Sequence, residues 1–234
     1  MKRRGFLAST LAAGALGGLP VLRARADTPI LSTAIVITDI SAQSDPASVL
    51  RLARQLVGQG IWVTCAIRLG ESADERTRLA GLLEALSEIG NGIDLALEIP
   101  GLAGLSPYFQ ARAVFDARKR LHRALAGKPL FAAPQSVLCD EIENPVQPAG
   151  VRASGVRNVL LRPKADDTVR SETWKGGVVR FFGGQRIGPQ TDFTFRRSTS
   201  RKENALLYYI SASDLPGVAE DRLTRWASRL ARTL

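Results

Sequence analysis

The chain has 234 residues, 45% of them hydrophobic, and a formal charge of +10 from 32 Lys and Arg against 22 Asp and Glu. That length suits one domain with a full core. The basic residues are scattered rather than clustered, so nucleic-acid binding is not indicated, and two cysteines without CxxC or Cys/His spacing exclude a structural zinc site.

Residues 1–26 read as an export signal. "MKRRGFLAST" carries the pair Arg3 and Arg4, a mild Ala- and Gly-rich apolar stretch runs to Leu22, and "ARAD" offers a small-x-small cleavage site after Ala26. This is the layout of a twin-arginine (Tat) signal peptide, and it predicts delivery to the periplasm. Gly14, Gly17, Gly18 and Pro20 make the stretch weakly hydrophobic for a membrane anchor. Lys2, Arg3, Arg4, Arg23 and Arg25 leave with it and no acid does, so the charge falls from +10 to +5. Residues 27–234 then form a mildly basic single domain with no membrane span, for which an anionic glycan or lipid surface is a suitable long-range partner.

"TAIVITDI" (Thr33 to Ile40) is a strand buried on both faces, and a helix follows from about Pro46 to Gln59. "IWVTCAI" (Ile61 to Ile67) is the second strand. Ser72 and Glu75, at capping-box spacing, open a second helix, lined by Leu79, Leu82, Leu83, Leu86 and Ile89 and ended by Gly90. "IDLALEI" is the third strand, and a helix begins at Ser106-Pro107 and runs to about Ala126. "PLFAAP" reads as a fourth strand, "VRNVLLRP" (Val156 to Pro163) as a fifth, "GGVVRFFGG" as a sixth and "ALLYYIS" (Ala205 to Ser211) as a seventh. Between Arg162 and Asn204 the helix signals vanish, which predicts a hairpin or long loops. A closing helix spans about Val218 to Arg232, with Glu220 and Asp221 early and Arg229 and Arg232 late, as the helix dipole favours. Strands alternating with helices predict a parallel α/β architecture, which an open sheet or a barrel satisfies. Cys65 and Cys139 each lie in or beside an apolar run, as a disulfide or as two buried thiols.

The succession "VITDIS", "VLRLARQLVGQGIWVTCAI", "LLEALSEIGNGIDLALEIPGLAGLS" and "LHRALAGKPLFAAPQS" resembles the polysaccharide deacetylase family, the chitooligosaccharide-deacetylase homology domain, over roughly Ile35 to Pro163. The resemblance implies a distorted (β/α)7 barrel. It also implies a divalent metal held by one Asp and two His, with a second Asp as base. Asp39 is the only carboxylate in the first motif, and Ile40 stands at the place of the metal-binding Asp. The two histidine positions hold Ala96 and Pro100, or Leu95 and Ile99, according to register. Ala132 or Ala133 replaces the family's Arg, and the late strand reads "YYISAS" where a catalytic His is expected. The one histidine, His122, lies in mid-helix and reads as a partly exposed structural residue. The expectation is therefore no metal, no cofactor and a pseudoenzyme.

A carboxylate site remains open. Asp39 ends the first strand and Glu98 the third, and they stand as candidate catalytic residues. Asp94 shares a face with Glu98, the C-terminal rim of a barrel would gather Asp140, Arg162 and Asp214 at the same mouth, and these four stand as candidate substrate-binding residues. A carboxylate pair there suits general acid and base work on a glycoside; the alternative is that the acids cap helices or pair with arginines. Trp174, Phe181, Phe182, Phe193, Phe195, Tyr208 and Tyr209 offer sugar-stacking faces or core, and "RRSTSRKE" (Arg196 to Glu203) a basic loop. The reading is an exported protein that recognises or handles a cell-envelope or secreted carbohydrate polymer or oligosaccharide. Its rivals are a metal-independent carbohydrate hydrolase or esterase using the rim carboxylates, and a non-catalytic envelope scaffold.

Overall fold

The structure, a computed structural model, describes residues 32–90, 92–125, 134–140, 148–163, 167–173, 179–188 and 205–233. The export signal at 1–26 and the basic segment 196–203 lie outside the described residues. Strand β1 (Ser32–Ile40), helix α1 (Pro46–Gly58), β2 (Val63–Ile67), α2 (Ala73–Ser87), β3 (Ile93–Glu98) and α3 (Pro107–Ala124) alternate through the first half. The second half holds β4 (Ser136–Asp140), a short α4 (Pro148–Ala153), β5 (Asn158–Arg162), β6 (Asp167–Thr173), β7 (Val179–Ile187), β8 (Ala205–Ser211) and α5 (Glu220–Thr233).

Strands β1 to β5 pair in parallel in chain order. Strand β5 then pairs in parallel with β7, β7 with β8 and β8 with β1, so the ring closes on seven parallel strands among the described residues. Strand β6 joins as an antiparallel partner of β7, the hairpin expected where helix signals vanish. The fold is an α/β, (β/α)7 barrel, distorted where this hairpin replaces a helix.

Local chemistry explains the elements. The Asp45 side chain accepts from the N–H groups of Ala47 and Ser48 at 3.2 and 3.1 Å and caps α1, with Pro46 in the first turn. Ser72 and Glu75 form the expected capping box on α2. One barrel strand was not expected. Pro134 lies outside any strand and the rest of "PLFAAP" outside the described residues; the fourth barrel strand is "SVLCD", a short run buried except at Asp140. Helix α4, with only six residues, is too short to show a helical period and was not expected.

The strands alternate between two apolar layers. Val36, Ala66, Ala96, Leu138, Leu160, Phe181, Leu207 and Tyr209 fill the barrel interior. Small Ala66 and Ala96 on adjacent strands leave room for Phe181 and Tyr209 from across the ring. Ile35, Ile37, Val63, Leu95 and Val137 face the other way, against Leu52, Leu83, Val114 and Trp226 of the helices. Tyr208 meets the Trp226 ring edge-on at 5.9 Å. Gly184, at φ +127°, lets β7 approach β8, since a β-carbon there would meet the Tyr209 ring at 2.7 Å and the Leu207 carbonyl at 2.9 Å. Cys65 and Cys139 both point outward on β2 and β4, with β3 between them, and both are free and buried. The two-thiol alternative holds, and burial pushes each thiol up to about 12.

Candidate functional site

The C-terminal ends of the strands carry a polar cluster above the apolar interior. Its formation depends on a break in the β1 alternation. Ile35 and Ile37 face the helices, so strict parity would send Asp39 outward and Ile40 into the barrel. Instead the β1–β2 register shifts between Ile37 and Ile40, and Asp39 takes φ +59°. This bulge turns Asp39 into the mouth and sends Ile40, fully buried, into the helix-facing core. Aspartate is among the residues that tolerate the left-handed region, and such outliers cluster at functional sites.

Two carboxylates and two guanidiniums interlock there. Arg68 donates to Asp39 Oδ1 at 2.8 Å and to Glu98 Oε1. Arg162 donates to Glu98 Oε1 at 2.7 Å and to Asp39 Oδ1 at 3.4 Å, and its Nε lies 3.6 Å from Asp140 Oδ1. The remaining carboxylate oxygens are also taken: Glu98 Oε2 accepts the Asp39 main-chain N–H at 2.8 Å, and Asp39 Oδ2 accepts the hydroxyls of Thr38 and Ser211, both at 2.8 Å. With the Ser211 proton spent on Asp39, Ser213 donates to Ser211 at 2.8 Å and extends the chain outward. Glu98 is the buried member, at 4% side-chain exposure, while Arg68 is exposed over 44% and Asp140 over 61% of theirs.

Burial alone would raise the Asp39 pKa; the hydrogen bonds from Thr38 and Ser211 and the charges of Arg162 and Arg68 outweigh it, so the carboxyl is held below the ordinary aspartate range. Burial likewise works against the Arg162 charge, but Glu98, Asp39 and Asp140 overcome it and raise its pKa.

Of the residues singled out in the sequence, Asp39, Glu98, Asp140 and Arg162 meet in this cluster. Asp94 shares the inner face of β3 with Glu98 but stands four residues, about 13 Å, toward the opposite end; its Oδ1 accepts the Leu95 N–H at 2.9 Å. Asp214 follows β8 at the same rim, where its main-chain N–H bonds to the Ser211 carbonyl at 3.0 Å, and its carboxylate stays out of the network. Arg68 was missed. The alternation that places Thr64 and Ala66 inward carries to position 68, and that parity was the available signal. Among the aromatics, Phe181 and Tyr209 fill the interior, where the Tyr209 hydroxyl donates to the Leu161 carbonyl at 3.3 Å, and Tyr208 packs outside. Phe182 belongs to β7; Trp174, Phe193 and Phe195, like Ala132 and Ala133, lie outside the described residues.

An Asp/His/His metal site does not fit these residues. Ile40 is sealed in the outer core, Ala96 fills the barrel interior, and His122 is exposed near the end of α3. Among the described residues no three His, Cys, Asp or Glu are grouped to hold a metal. No helix among them is long and apolar enough to cross a membrane.

No protein-family model matches the chain, and no curated protein matches it. Among solved structures it is similar to the 4-α-glucanotransferase of Thermococcus litoralis, at 12% identity and a TM-score of 0.46 over 86% of this chain. The chain spans 37% of that enzyme's length. It is also similar to a protein of Bordetella bronchiseptica assigned as a polysaccharide deacetylase involved in O-antigen biosynthesis, at 12% identity and a TM-score of 0.43 over 86% of this chain and 90% of the other. Both names concern carbohydrates, and at these values neither likeness carries an activity across.

Proposed function

We propose that this is an exported glycan-recognition protein whose barrel mouth binds a cell-envelope or secreted carbohydrate without metal-dependent deacetylation. The observation that carries the reading is the sharing of Arg68 and Arg162 by both Asp39 and Glu98. A glycosidase pair needs one carboxyl protonated at working pH, with its pKa raised. Here Asp39 is held the other way, as an anion. Asp39, locked by two guanidiniums, is a poor proton donor and a well-oriented acceptor.

Recognition suits what the mouth presents. The exposed parts of Arg68 and Asp39, held in fixed geometry by the buried Glu98 and by Arg162, suit bonds to adjacent sugar hydroxyls, and their positions are set before the ligand arrives. The exposed part of Arg68, Asp140 and the Ser213–Ser211 relay supply donors and acceptors at the rim. The apolar layer beneath closes the barrel, which suits a ligand lying across the mouth rather than entering it. Periplasmic delivery by the twin-arginine route is part of the proposal and rests on residues 1–26.

Titration calorimetry with a panel of neutral, acidic and amino-sugar oligosaccharides tests the reading. At least one class should bind, and Arg68→Gln should weaken it by about tenfold to a hundredfold, the loss of one or two charge-assisted hydrogen bonds. Equal affinity in wild type and variant would remove the mouth as the site.

A further inference from the structure

Four of the five large apolar side chains exposed among the described residues are grouped, the fifth being Trp62 just before β2. Leu105, Tyr108, Phe109 and Phe115 all lie in the turn before α3 or in its first half, at 40–68% exposure. Gln110, Val114, Ala117 and Leu121 are the buried face of α3, packed toward the barrel. At 100° per residue, Tyr108, Arg112, Phe115 and Lys119 fall on the opposite side, pointing straight away from the body of the protein. Arg123 and His122 continue that face, and all six side chains are exposed. Its one acid, Asp116, is partnered by Arg112 at 3.8 Å. Tyr108 and Phe109 stack edge-on at 5.4 Å and form a small aromatic ridge.

From this placement we propose that the outer face of α3 docks the protein onto an anionic lipid surface. Aromatic rings that stand out from a helix amid Arg and Lys match the headgroup region of a bilayer, where the rings bury their apolar bodies and the cations meet lipid phosphates. Charge complementarity selects this occupant: Arg112, Lys119 and Arg123 outnumber the single acid on the face, and the whole chain is basic. The direction of the face excludes it from the mouth, so it serves a surface beside the protein rather than the ligand within the rim. The inference is independent of what the mouth binds.

The test uses the full chain with a single added thiol, since Cys65 and Cys139 are buried. An environment-sensitive fluorophore on Asp116→Cys reports the α3 face, and the same label on Arg225→Cys, exposed on α5, reports a remote one. Vesicles of phosphatidylglycerol and phosphatidylcholine in equal parts should shift the emission at position 116 and leave position 225 unchanged, and pure phosphatidylcholine should shift neither. Replacing Arg112, Lys119 and Arg123 by Gln should weaken the response about a hundredfold. Replacing Tyr108, Phe109 and Phe115 by Ser should abolish it while circular dichroism shows the fold retained. An equal response at position 225, or none at 116, would overturn the proposal. So would a response at 116 to a soluble anionic polysaccharide alone, or a dimer that shields the label from lipid.

Discussion

The main-chain N–H of Asp39 donates to the Glu98 carboxylate at 2.8 Å, joining the ends of two strands that are separated in the sheet by β2. That bond exists because Asp39 sits in the left-handed region, where its N–H and its side chain both face the mouth. Each acid thereby holds the other's surroundings in place, with Arg68 and Arg162 neutralising both.

Removing one member should expose the coupling. Glu98→Gln leaves the half-buried Arg162 short of counter-charge and should lower stability by about 2 kcal/mol in urea unfolding. Arg162→Gln should cost a similar amount, and the double variant should cost less than the two together by about 1 kcal/mol or more. Strict additivity would mean that the pair does not interact.

Acid should reach the same cluster through Asp39. Its folded pKa lies below its unfolded value, so the folded state takes up its proton less readily. The stability this supplies is complete above the unfolded pKa, about 4, and is lost as pH falls through the lower folded pKa. Thermal melting of wild type between pH 5 and 2 should therefore fall more steeply than that of Asp39→Asn, and parallel curves would contradict the assignment.

Restoring an acid at position 40 should damage the fold rather than build a site. Ile40 is fully buried among the helix-facing side chains, so Ile40→Asp places a carboxylate in apolar surroundings. A loss of roughly 3–5 kcal/mol is expected, unrelieved by zinc. A variant of native stability, or one stabilised by zinc, would show that position 40 can reach the mouth.

Cys65 and Cys139, with pKa values pushed to about 12, should not react with a thiol reagent at neutral pH until the chain unfolds. Fast labelling of either in native conditions would place it at the surface.

Much of the barrel was legible because its strands are buried on both faces and its helices carry strong punctuation. β1, β2 and β8 are rich in apolar residues, with Asp39 the one charge among them, and Pro46, Ser72 with Glu75, and Pro107 mark three helix starts. Elements outside that pattern were hidden. Strand β4 is five residues long and closely follows the proline-bounded run "PLFAAP", so composition drew the reading to that run and past β4. Strand β6 is largely polar and shows no apolar alternation. At the mouth, position at a strand end found Asp39, Glu98, Asp140 and Arg162. Parity put Asp94 on the inner face but carries no height along the barrel. Arg68, one residue past an apolar run, looked like the start of a loop. The bulge at Asp39 has no signature in "VITDIS", since aspartate there serves an ordinary strand end equally well.

The most direct test of recognition without turnover scores binding and product in the same samples. Wild type, Asp39→Asn and Glu98→Gln are incubated with acetylated and deacetylated envelope polysaccharides, and retained glycan is measured beside released acetate and reducing ends. Wild type should bind at least one polysaccharide and release nothing, with both variants about tenfold or more weaker in binding. Product from wild type that falls by about a hundredfold in both variants while binding survives would contradict the account and identify the carboxylates as catalytic. Neither binding nor product would contradict it as well, leaving the cluster as a structural lock on the barrel mouth.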